Sequence, residues 1–502
     1  MTRRVRLAML LAGVVLAAAQ APQAAEQAAR VPAHPRDLTF PPLVFTPPSA
    51  AQYRHVLAGG VGAYLVEDHD LPLVTVTVLV RGGAYLDPGG KEGLSALVGS
   101  QMRAGGTVTY PAEQFDEEAD FLAASLSSAF GPTSGSASAD FLAKDTEKAL
   151  ALFVEMLRTP RFQADRLDLA RTQALQGLAR RNDETDAIEG REWARLMRGD
   201  GHFSTAAITR ASLESITRDD LVAFHRRYVH PGNFVVAVSG DFRTADMKGR
   251  LDRALAGWAR GEAAPPVPAP THVPVPGVYM VHKPDVNQGR VSIGHLGIRR
   301  GDPDEVAVDV MNDILGGSGF TSRITNRVRS DEGLAYSAGS SYVAGVHYPG
   351  TFRAGFQSKS ASCARAARIV LDEISRIRTE PVSAEELETV KTSAIETFPR
   401  IFSSAAAVAR TFADDELTGR DPTFWATYRD RVRAVTAEDV RRVAQQHLRP
   451  DALVILAVGH VDDMLRGDPD HPDYSFASLA DGRPIGRIPL PDPLTMVYPK
   501  GS

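Results

Sequence analysis

The sequence predicts an α+β fold built from two homologous α/β-sandwich halves that a proline-rich linker joins. The first observation is an internal repeat, because residues 216–241 and 435–460 align without gaps at an offset of 219 residues. The second is the segment 260–277, which carries six prolines and is typical of a stiff surface linker. This offset is far longer than the period of a solenoid repeat, so duplicated domains are expected.

Each repeat unit shows the same order of local signals. An N-capping threonine, Thr217 or Thr436, precedes an acidic residue and an amphipathic helix. A proline then ends the helix, and a buried strand follows that finishes at Gly240 or Gly459. Upstream, residues 74–80 alternate in the manner of a half-buried strand. The mixture of strands and helices within each half predicts the α+β class.

Composition excludes several classes of function. A net charge of −5 over 502 residues gives no general attraction for nucleic acid or for anionic membranes. The single cysteine, Cys363, cannot form an internal disulfide. Its sequence context has helical periodicity, which predicts a buried and inert thiol.

The N-terminus has the three-part order of a secretory signal peptide. Arg3, Arg4 and Arg6 precede an uninterrupted apolar run from Leu7 to Ala19, and small residues follow. This run is too short to span a bilayer comfortably, so no membrane span is expected after cleavage. The pattern predicts export to the periplasm of a Gram-negative bacterium, or secretion, and the arginine pair leaves twin-arginine export open.

The predicted organisation has six parts. They are a signal peptide at 1–25, a proline-rich segment at 26–50, an N-terminal domain at 51–259, the linker at 260–277, a C-terminal domain at 278–464 and a tail at 465–502. The repeat does not account for the tail, which docks either on a partner or on the chain itself.

The segment Gly93–Thr107, GLSALVGSQMRAGGT, resembles the active-site helix of the pitrilysin/insulinase family of zinc metallopeptidases, the inverzincins. In that family H-x-x-E-H supplies two zinc-binding histidines and a glutamate base. The matching positions here are Ala96, Gly99 and Ser100. The downstream segment ARTQALQGLARR resembles the helix that carries the third ligand, a glutamate, and its position is Gly177. None of the four offers an imidazole or a carboxylate, so this chain is expected to bind no zinc.

Two further expectations concern this region. His225 and His230 are the closest histidine pair, but a spacing of five does not put both rings on one helical face, so both are predicted to be surface or structural residues. Gly99 is expected to lie in an ordinary helix interior, where glycine costs about 1 kcal/mol relative to alanine. Gly99→Ala is therefore expected to be neutral or mildly stabilising.

The segment Ile314–Tyr342 is similar to the second signature of the same family, with L-G-G, S-R-I and G-L-A-Y-S steps. The resemblance implies that Arg329 and Tyr336 enter the cleft opposite a zinc site. A guanidinium and a phenol are donors suited to a substrate carbonyl and to the oxyanion that forms from it. The alternative is that Tyr336 packs on a strand and Arg329 pairs with Asp331 or Glu332.

The glycines at 316–319 have two interpretations. Some non-catalytic subunits of processing peptidases carry a glycine-rich loop that contacts substrate, which makes Gly316 and Gly317 candidate substrate-binding residues. The run is short and follows a helical pattern, however, which favours a C-cap and turn. A phosphate loop is not indicated, because no Gly-Lys-Ser/Thr follows.

The resemblance implies a processing-peptidase-like chain without the H-x-x-E-H motif, inactive on its own. We expect it to be the zinc-lacking subunit of a periplasmic heteromeric metallopeptidase that cleaves peptides. Its companion would carry the intact motif and the zinc, and Arg329 and Tyr336 would complete the companion's site. The alternative is a pseudopeptidase that binds peptides or acts as a scaffold. Whether the neighbouring reading frame encodes such a companion would discriminate between the two.

Overall fold

A computed structural model describes residues 34, 38 and 44–499 of the chain. The predicted signal peptide at 1–25 and most of the proline-rich segment at 26–50 lie outside the described residues. The chain divides into two compact units, Met1–Phe45 and Thr46–Ser502. Both predicted halves belong to the second unit.

The first half combines one mixed sheet with helices. Its strands are β1 (Arg54–Leu57), β2 (Val61–Glu67), β3 (Leu73–Arg81), β4 (Ser125–Phe130), β5 (Ser134–Leu142) and β6 (Phe234–Gly240). Its helices are α1 (Ala50–Tyr53), α2 (Leu94–Ala104), α3 (Ala112–Phe121), α4 (Thr146–Arg158), α5 (Ala164–Ala179), α6 (Thr185–Arg198), α7 (Arg210–Ser215), α8 (Arg218–Tyr228) and α9 (Thr244–Leu255).

The second half repeats this arrangement. Its strands are β7 (Gly277–His282), β8 (Gln288–Leu296), β9 (Ala335–Val343), β10 (Thr351–Lys359), β11 (Val454–Gly459) and β12 (Gly486–Ile488). Its helices are α10 (Glu305–Asn312), α11 (Arg323–Thr325), α12 (Cys363–Thr379), α13 (Ala384–Thr397), α14 (Ala405–Thr418), α15 (Phe424–Ala434), α16 (Ala437–His447), α17 (Val461–Arg466) and α18 (Phe476–Ala480).

The two sheets share the topology of five of their six strands. The strand orders are β1-β2-β6-β3-β5-β4 and β12-β7-β11-β8-β10-β9, so β2 to β6 correspond to β7 to β11. The sixth strands differ, because β1 is antiparallel to β2 whereas β12 is parallel to β7. The pairs β2–β6 and β7–β11 are parallel, and the three pairs that follow them in each sheet are antiparallel. β4 and β9 are equivalent edge strands. The predicted α+β fold of two homologous halves is therefore confirmed.

Local signals in the repeat have the predicted structural roles. The side chains of Thr217 and Thr436 accept hydrogen bonds from the backbone N–H groups of Asp220 and Asp439, and both helices begin with a complete capping box. The strands that follow end at Gly240 and Gly459, as predicted. Gly240 has φ of +124°, a backbone conformation that a side chain would disfavour.

Strand β3 departs from the predicted half-buried pattern. Residues 76–80 are all buried, on both faces of the sheet. One face packs on helices of the first half, and the other is covered by α14, which belongs to the second half. A covering helix that begins more than 300 residues later turns an alternating strand into a fully buried one.

This covering helix has a counterpart, so the two halves exchange helices. α6 of the first half packs on β8 and β11 of the second sheet, while α14 of the second half packs on β2, β3 and β6 of the first. Ile188, Trp193 and Met197 on α6 form one buried cluster with residues of β7 and β11. On α14, the Phe412 ring lies 6.0 Å from the Tyr64 ring. The exchange holds the halves together through apolar packing.

Each exchanged helix also places a carboxylate on the opposite sheet. Glu189 on α6 is 2% exposed and accepts from Arg290 Nε at 2.7 Å and from Arg353 Nη2 at 3.0 Å. Glu416 on α14 accepts from Nε and Nη2 of Arg54, at 2.8 and 3.0 Å. Because it is paired and hydrogen-bonded, the Glu189 charge tolerates burial between the halves, whereas the Arg54–Glu416 pair is partly exposed.

The C-terminal tail, for which the repeat does not account, docks on the chain itself. β12 adds to the edge of the second sheet, parallel to β7. Beyond it, Pro491 accepts from the Asn182 side chain at 2.8 Å, so the tail crosses to the first half. The Tyr498 hydroxyl donates to Glu192 at 2.8 Å, and the Arg195 guanidinium lies 3.9 Å from the centre of the Tyr498 ring.

Candidate functional site

Helix α2 carries three of the four positions that match the zinc ligands and the glutamate base of the pitrilysin/insulinase family. The helix begins at Leu94 after Gly93, whose φ of +101° is in the left-handed region. The partly buried carboxylate of Asp87 accepts from the backbone N–H of Gly93 at 3.0 Å and of Ser95 at 2.8 Å. Asp87 therefore satisfies N–H groups at the helix start that have no partner within the helix.

At Gly99 the helix lies directly on the edge strand β4. A Cβ atom there would be 2.5 Å from the Phe130 nitrogen and 2.7 Å from the carbonyl carbon of Ala129, both backbone atoms. The Ser128 hydroxyl donates to the Gly99 carbonyl at 2.6 Å and fixes this contact. The expectation that Gly99→Ala would be neutral or stabilising is therefore wrong, because the missing side chain permits a close contact between helix and strand.

The other three positions are exposed to solvent. Ala96, Ser100 and Gly177 are exposed, and a Cβ at Gly177 would meet no atom within 4 Å. The Ser100 hydroxyl donates to the Leu97 carbonyl at 3.1 Å. The four residues provide one hydroxyl and no imidazole or carboxylate, and a side chain at Gly99 would collide with β4. The residues present do not fit a zinc ion.

One other group of described residues has the spacing of a metal site. Single ligand atoms of Asp302, Asp304 and His447 lie within 4.8 Å of one another. Arg442 already donates to both Asp304 oxygens, at 2.8 and 3.1 Å, and His447 Nε2 lies 2.8 Å from Asp304. These bonds lower the pKa of Asp304 to about 2. The group is thus an ion-pair cluster that joins α10 to α16.

The histidine pair and the cysteine are structural, as predicted. His225 is buried with Nε2 2.7 Å from the Leu157 carbonyl oxygen, and burial lowers its pKa to about 4. His230 is buried, and its Nε2 lies 2.9 Å from the Arg227 carbonyl oxygen. Cys363 is buried, and burial raises its pKa to about 12, so its thiolate is inaccessible at neutral pH.

Arg329 and Tyr336 lie together in the second half. Arg329 belongs to a π-helical turn, Asn326–Asp331, and Tyr336 is near the start of the edge strand β9. The Arg329 guanidinium is 4.6 Å from the centre of the Tyr336 ring and 4.4 Å from that of Phe320. Phe320 is 65% exposed and Tyr336 84% exposed, so the stack faces solvent.

The predicted alternative for Arg329, an ion pair with Asp331 or Glu332, does not match the contacts. Asp331 lies 3.8 Å from Arg327, and Glu332 pairs with Arg365. Arg329 forms no hydrogen bond or ion pair with any residue that the structure describes. Its guanidinium is held by ring stacking alone, which leaves its N–H donors available.

Buried contacts fix the backbone on both sides of the pair. Arg323 donates to both oxygens of Glu386, at 2.6 and 2.9 Å. Thr325 donates to the Ala338 carbonyl of β9 at 2.8 Å. The fully buried Val328 anchors the turn that carries Arg329. An exposed pair on such a rigid base is preorganised for an incoming ligand.

Gly316 and Gly317 end a helical segment, as in the C-cap interpretation. They close a π-helical turn, Asp313–Gly317, and a Cβ at Gly316 would collide with Ser340 of β9. Gly316 also lines a cavity of about 420 Å³, whereas Gly317 is not among its described lining residues. Substrate contact by these glycines stays a prediction.

That cavity has polar walls. Glu189, Arg290, Arg353 and Gln357 line it together with residues 337–341 of β9. The cavity therefore follows the strand that begins with Tyr336. An extended peptide could use both the backbone and the charged groups of such a wall.

Sequence reasoning missed two partly buried acids beside this site. Burial raises the pKa of Asp309 to about 7, with the nearby Glu305 and Asp313 adding to the effect. Burial raises the pKa of Asp313 to about 6. Both lie where α10 runs into the turn at Gly316. The sequence does contain a signal for these acids, because two aspartates four residues apart interrupt the apolar run VAVDVMNDILGG.

Two family profiles match the chain. The profile described as "Insulinase (Peptidase family M16)" matches residues 63–200, and that described as "Peptidase M16 inactive domain" matches residues 215–394. A Helicobacter pylori protein named "Non-peptidase homolog YmxG" is 24% identical over 347 residues, which cover 68% of this chain and 79% of that protein. A Rickettsia bellii protein named "Uncharacterized zinc protease" is 22% identical over 320 residues, 64% of this chain and 76% of that protein.

Solved structures share the fold. A crystal structure of a peptidase M16 inactive domain from Pseudomonas fluorescens matches with a TM-score of 0.73 at 24% identity, over 81% of this chain and 97% of that one. The first half of the periplasmic protease PqqL from Escherichia coli matches with a TM-score of 0.70 at 14% identity, over 88% of this chain and 99% of that one. No helix among the described residues has the length and apolar character needed to cross a membrane.

Proposed function

This chain belongs to the M16 insulinase family of peptidases and resembles its inactive members, and we propose that it is the zinc-lacking subunit of a periplasmic heteromeric peptidase. The observation that carries the proposal is the contrast between the vacant zinc positions and the Arg329–Tyr336 pair. Ala96, Gly99 and Ser100 offer no ligand set, yet the donors of Arg329 are unpaired among the described residues.

The chemistry assigned to this chain is recognition of a peptide carbonyl. Activated water would come from the zinc centre of a companion that has an intact H-x-x-E-H motif. Arg329 and Tyr336 would donate hydrogen bonds to the carbonyl oxygen and to the negative charge that develops on it. The polar wall along residues 337–341 would hold the peptide backbone beside the pair.

The periplasmic location rests on the sequence of the first 25 residues, with its arginines and apolar run. One structural neighbour, PqqL, is itself described as a periplasmic protease. The companion would be exported by the same route. Co-purification from the periplasm followed by mass spectrometry would identify it.

The alternative is a pseudopeptidase that binds peptides or acts as a scaffold without hydrolysis. The name "Non-peptidase homolog" of the Helicobacter pylori relative supports this alternative. The two functions differ in one respect that can be measured. In the first, removing the donors of this chain lowers the turnover of the complex, and in the second it does not.

The test is peptide turnover by the complex reconstituted with Tyr336→Phe or Arg329→Lys. Losing one donor to an oxyanion typically costs about 10²–10³ in turnover, so Tyr336→Phe should slow hydrolysis to that degree. Arg329→Lys keeps the positive charge but loses the planar guanidinium fork. A complex that contains this variant should therefore also hydrolyse peptides more slowly than wild type. Assembly and the zinc content of the companion should not change. Turnover equal to wild type at matched assembly would favour the scaffold function.

A further inference from the structure

A second cavity, of about 350 Å³, lies where the two halves, the linker and α14 meet. The first half contributes Arg81 at the end of β3 and Ser134 at the start of β5. The second half contributes Arg299 and His347, and the linker contributes Pro266. The described residues that line it include no aspartate or glutamate. Cavities of a few hundred Å³ suit small ligands.

Hydrogen bonds hold the walls of this cavity in place. The Tyr85 hydroxyl donates to the Pro265 carbonyl at 2.9 Å and fixes the linker against the first half. The backbone N–H of Arg300 donates to the Gly345 carbonyl at 2.9 Å and fixes the loop that carries His347. Because both walls are held, the cavity exists before any ligand arrives.

Several donors at the cavity have no partner. The side chains of Arg299, His347, Thr133 and Ser134 form no hydrogen bond or ion pair with other residues in the described part of the chain. Arg81 makes one bond, from Nη2 to the backbone carbonyl of Glu416 at 3.3 Å. Two guanidinium groups and two hydroxyls are thus available to a ligand.

The electrostatic environment of the cavity favours an anion. Burial and the positive charges of Arg299 and Arg300 lower the pKa of His347, so its imidazole is neutral at pH 7. The Glu416 carboxylate is close enough to Arg81 for that guanidinium to lower its pKa, but it already accepts from Arg54 and from the Tyr64 hydroxyl. Glu305, Asp414 and Asp415 act electrostatically on the neighbouring Arg300, and none of these acids is among the described residues that line the cavity.

We propose that this cavity binds a small organic anion, with its carboxylate between Arg81 and Arg299 and a short apolar body against Pro266 and Val346. The planar guanidinium fork matches the two oxygens of a carboxylate. Two sources carry this chemistry, a free carboxylic acid and the C-terminal residue of a peptide. The site shares no residue with the Arg329–Tyr336 site, so either can fail without the other.

The test is calorimetric titration of the full chain without its leader. The probes are N-acetyl-leucine, its amide N-acetyl-leucinamide, the peptide Ala-Ala-Ala-Leu and inorganic phosphate. We expect at least one of the two carboxylates to bind and the amide not to bind. Binding of N-acetyl-leucine alone would assign the site to free acids, and binding of the peptide would assign it to peptide C-termini.

The variants test the position of the carboxylate. Arg299→Gln changes an exposed side chain, so it should fold normally and bind about tenfold more weakly or worse. Arg81→Gln should weaken binding in the same way. Arg466→Gln is the matched control, since that side chain is 72% exposed on α17, and it should bind like wild type. In an NMR titration, bound carboxylate should raise the pKa of His347.

Four results would overturn the proposal. They are no binding of either carboxylate, equal binding of the amide, tighter binding of phosphate than of both carboxylates, and unchanged affinity in folded Arg299→Gln. Melting curves of each variant confirm folding before titration. None of these results depends on peptide hydrolysis. Failure of this proposal can therefore be distinguished from failure of the proposed peptidase role.

Discussion

At Gly99 the backbone of α2 lies so close to β4 that a Cβ atom would be 2.5 Å from the Phe130 nitrogen, whereas at Tyr336 84% of the side chain is exposed. Gly99 packs against the edge strand β4 of the first half, and Tyr336 belongs to the edge strand β9 of the second. In the first of these places the helix has closed onto the strand, as the turn at Gly316 also does on β9. In the second, Arg329 stacks between two exposed rings and keeps its donors unpaired among the described residues.

The difference separates positions that serve folding from positions that do not. A glycine packed against backbone contributes to the fold, and its loss should be measurable in stability. An exposed arginine held only by stacking contributes little to stability, so its substitution should be visible in function only if the proposed binding role holds. Substitutions in the two regions should therefore affect different measurements.

The largest effect on stability is expected at Gly99. Gly99→Ala adds a Cβ that must displace the backbone of β4, because Ala129 and Phe130 leave no room for it. Overpacking of this kind costs about 1–3 kcal/mol, which exceeds the gain of about 1 kcal/mol in helix propensity. Urea denaturation should show a lower free energy of unfolding for the variant.

Gly177→Ala is the matched control for this comparison. It lies in α5 at an exposed position where a Cβ would meet no atom within 4 Å. The variant should therefore be neutral or more stable, by up to about 1 kcal/mol. If Gly99→Ala were as stable as Gly177→Ala, the closure of α2 onto β4 would not be required by the fold.

A second prediction concerns α10, which follows β8 in the second half as α2 follows β3 in the first. The pKa of Asp313 is raised to about 6 in the folded chain, well above its ordinary value of 3.8. The folded state therefore binds more protons than the unfolded state between these values, and stability is lost as pH rises from about 4 to 6. Asp309, with its pKa raised to about 7, extends the loss to higher pH.

Asp313→Asn should remove part of this dependence. We expect the variant to lose less stability than wild type between pH 4.5 and pH 7.5, measured by urea denaturation at both values. Asp331→Asn, at an exposed acid on the same half, is the control and should follow wild type. Identical pH profiles for wild type and Asp313→Asn would mean that the Asp313 carboxylate ionises in the folded chain at its ordinary pKa.

The smallest effect on stability is expected at the exposed stack. Phe320→Ala removes one ring from Arg329, and such exposed cation–π contacts contribute about 0.5–1 kcal/mol. Tyr336→Phe keeps the other ring and should change stability by less than about 0.5 kcal/mol. Thermal unfolding of both variants checks this. A large loss of stability in Tyr336→Phe would place that hydroxyl in the fold and weaken the argument for a binding role.

The sequence predicted those features that local signals determine. Thr217 and Thr436 cap their helices because the hydroxyl and the acid three residues later act within one turn. The duplicated topology followed from the repeat. The pairing of Arg329 with Tyr336 was implied by a family resemblance over a short segment, and stacking of the two groups is consistent with it.

Features that depend on distant segments were not predictable in this way. β3 is buried on both faces because α14 arrives from the other half. Gly99 looked like an ordinary helical glycine because helix propensity carries no information about β4. The docking of Tyr498 on α6 likewise joins residues about 300 positions apart, with no repeat or motif to indicate it.

The most direct test of the central claim is the zinc content of this chain purified alone. The claim is that the first half has lost its zinc chemistry at Ala96, Gly99, Ser100 and Gly177. After incubation with zinc and removal of the unbound ion, elemental analysis should find far less than one zinc per chain, and no peptide should be cleaved. One tightly held zinc per chain would contradict the account.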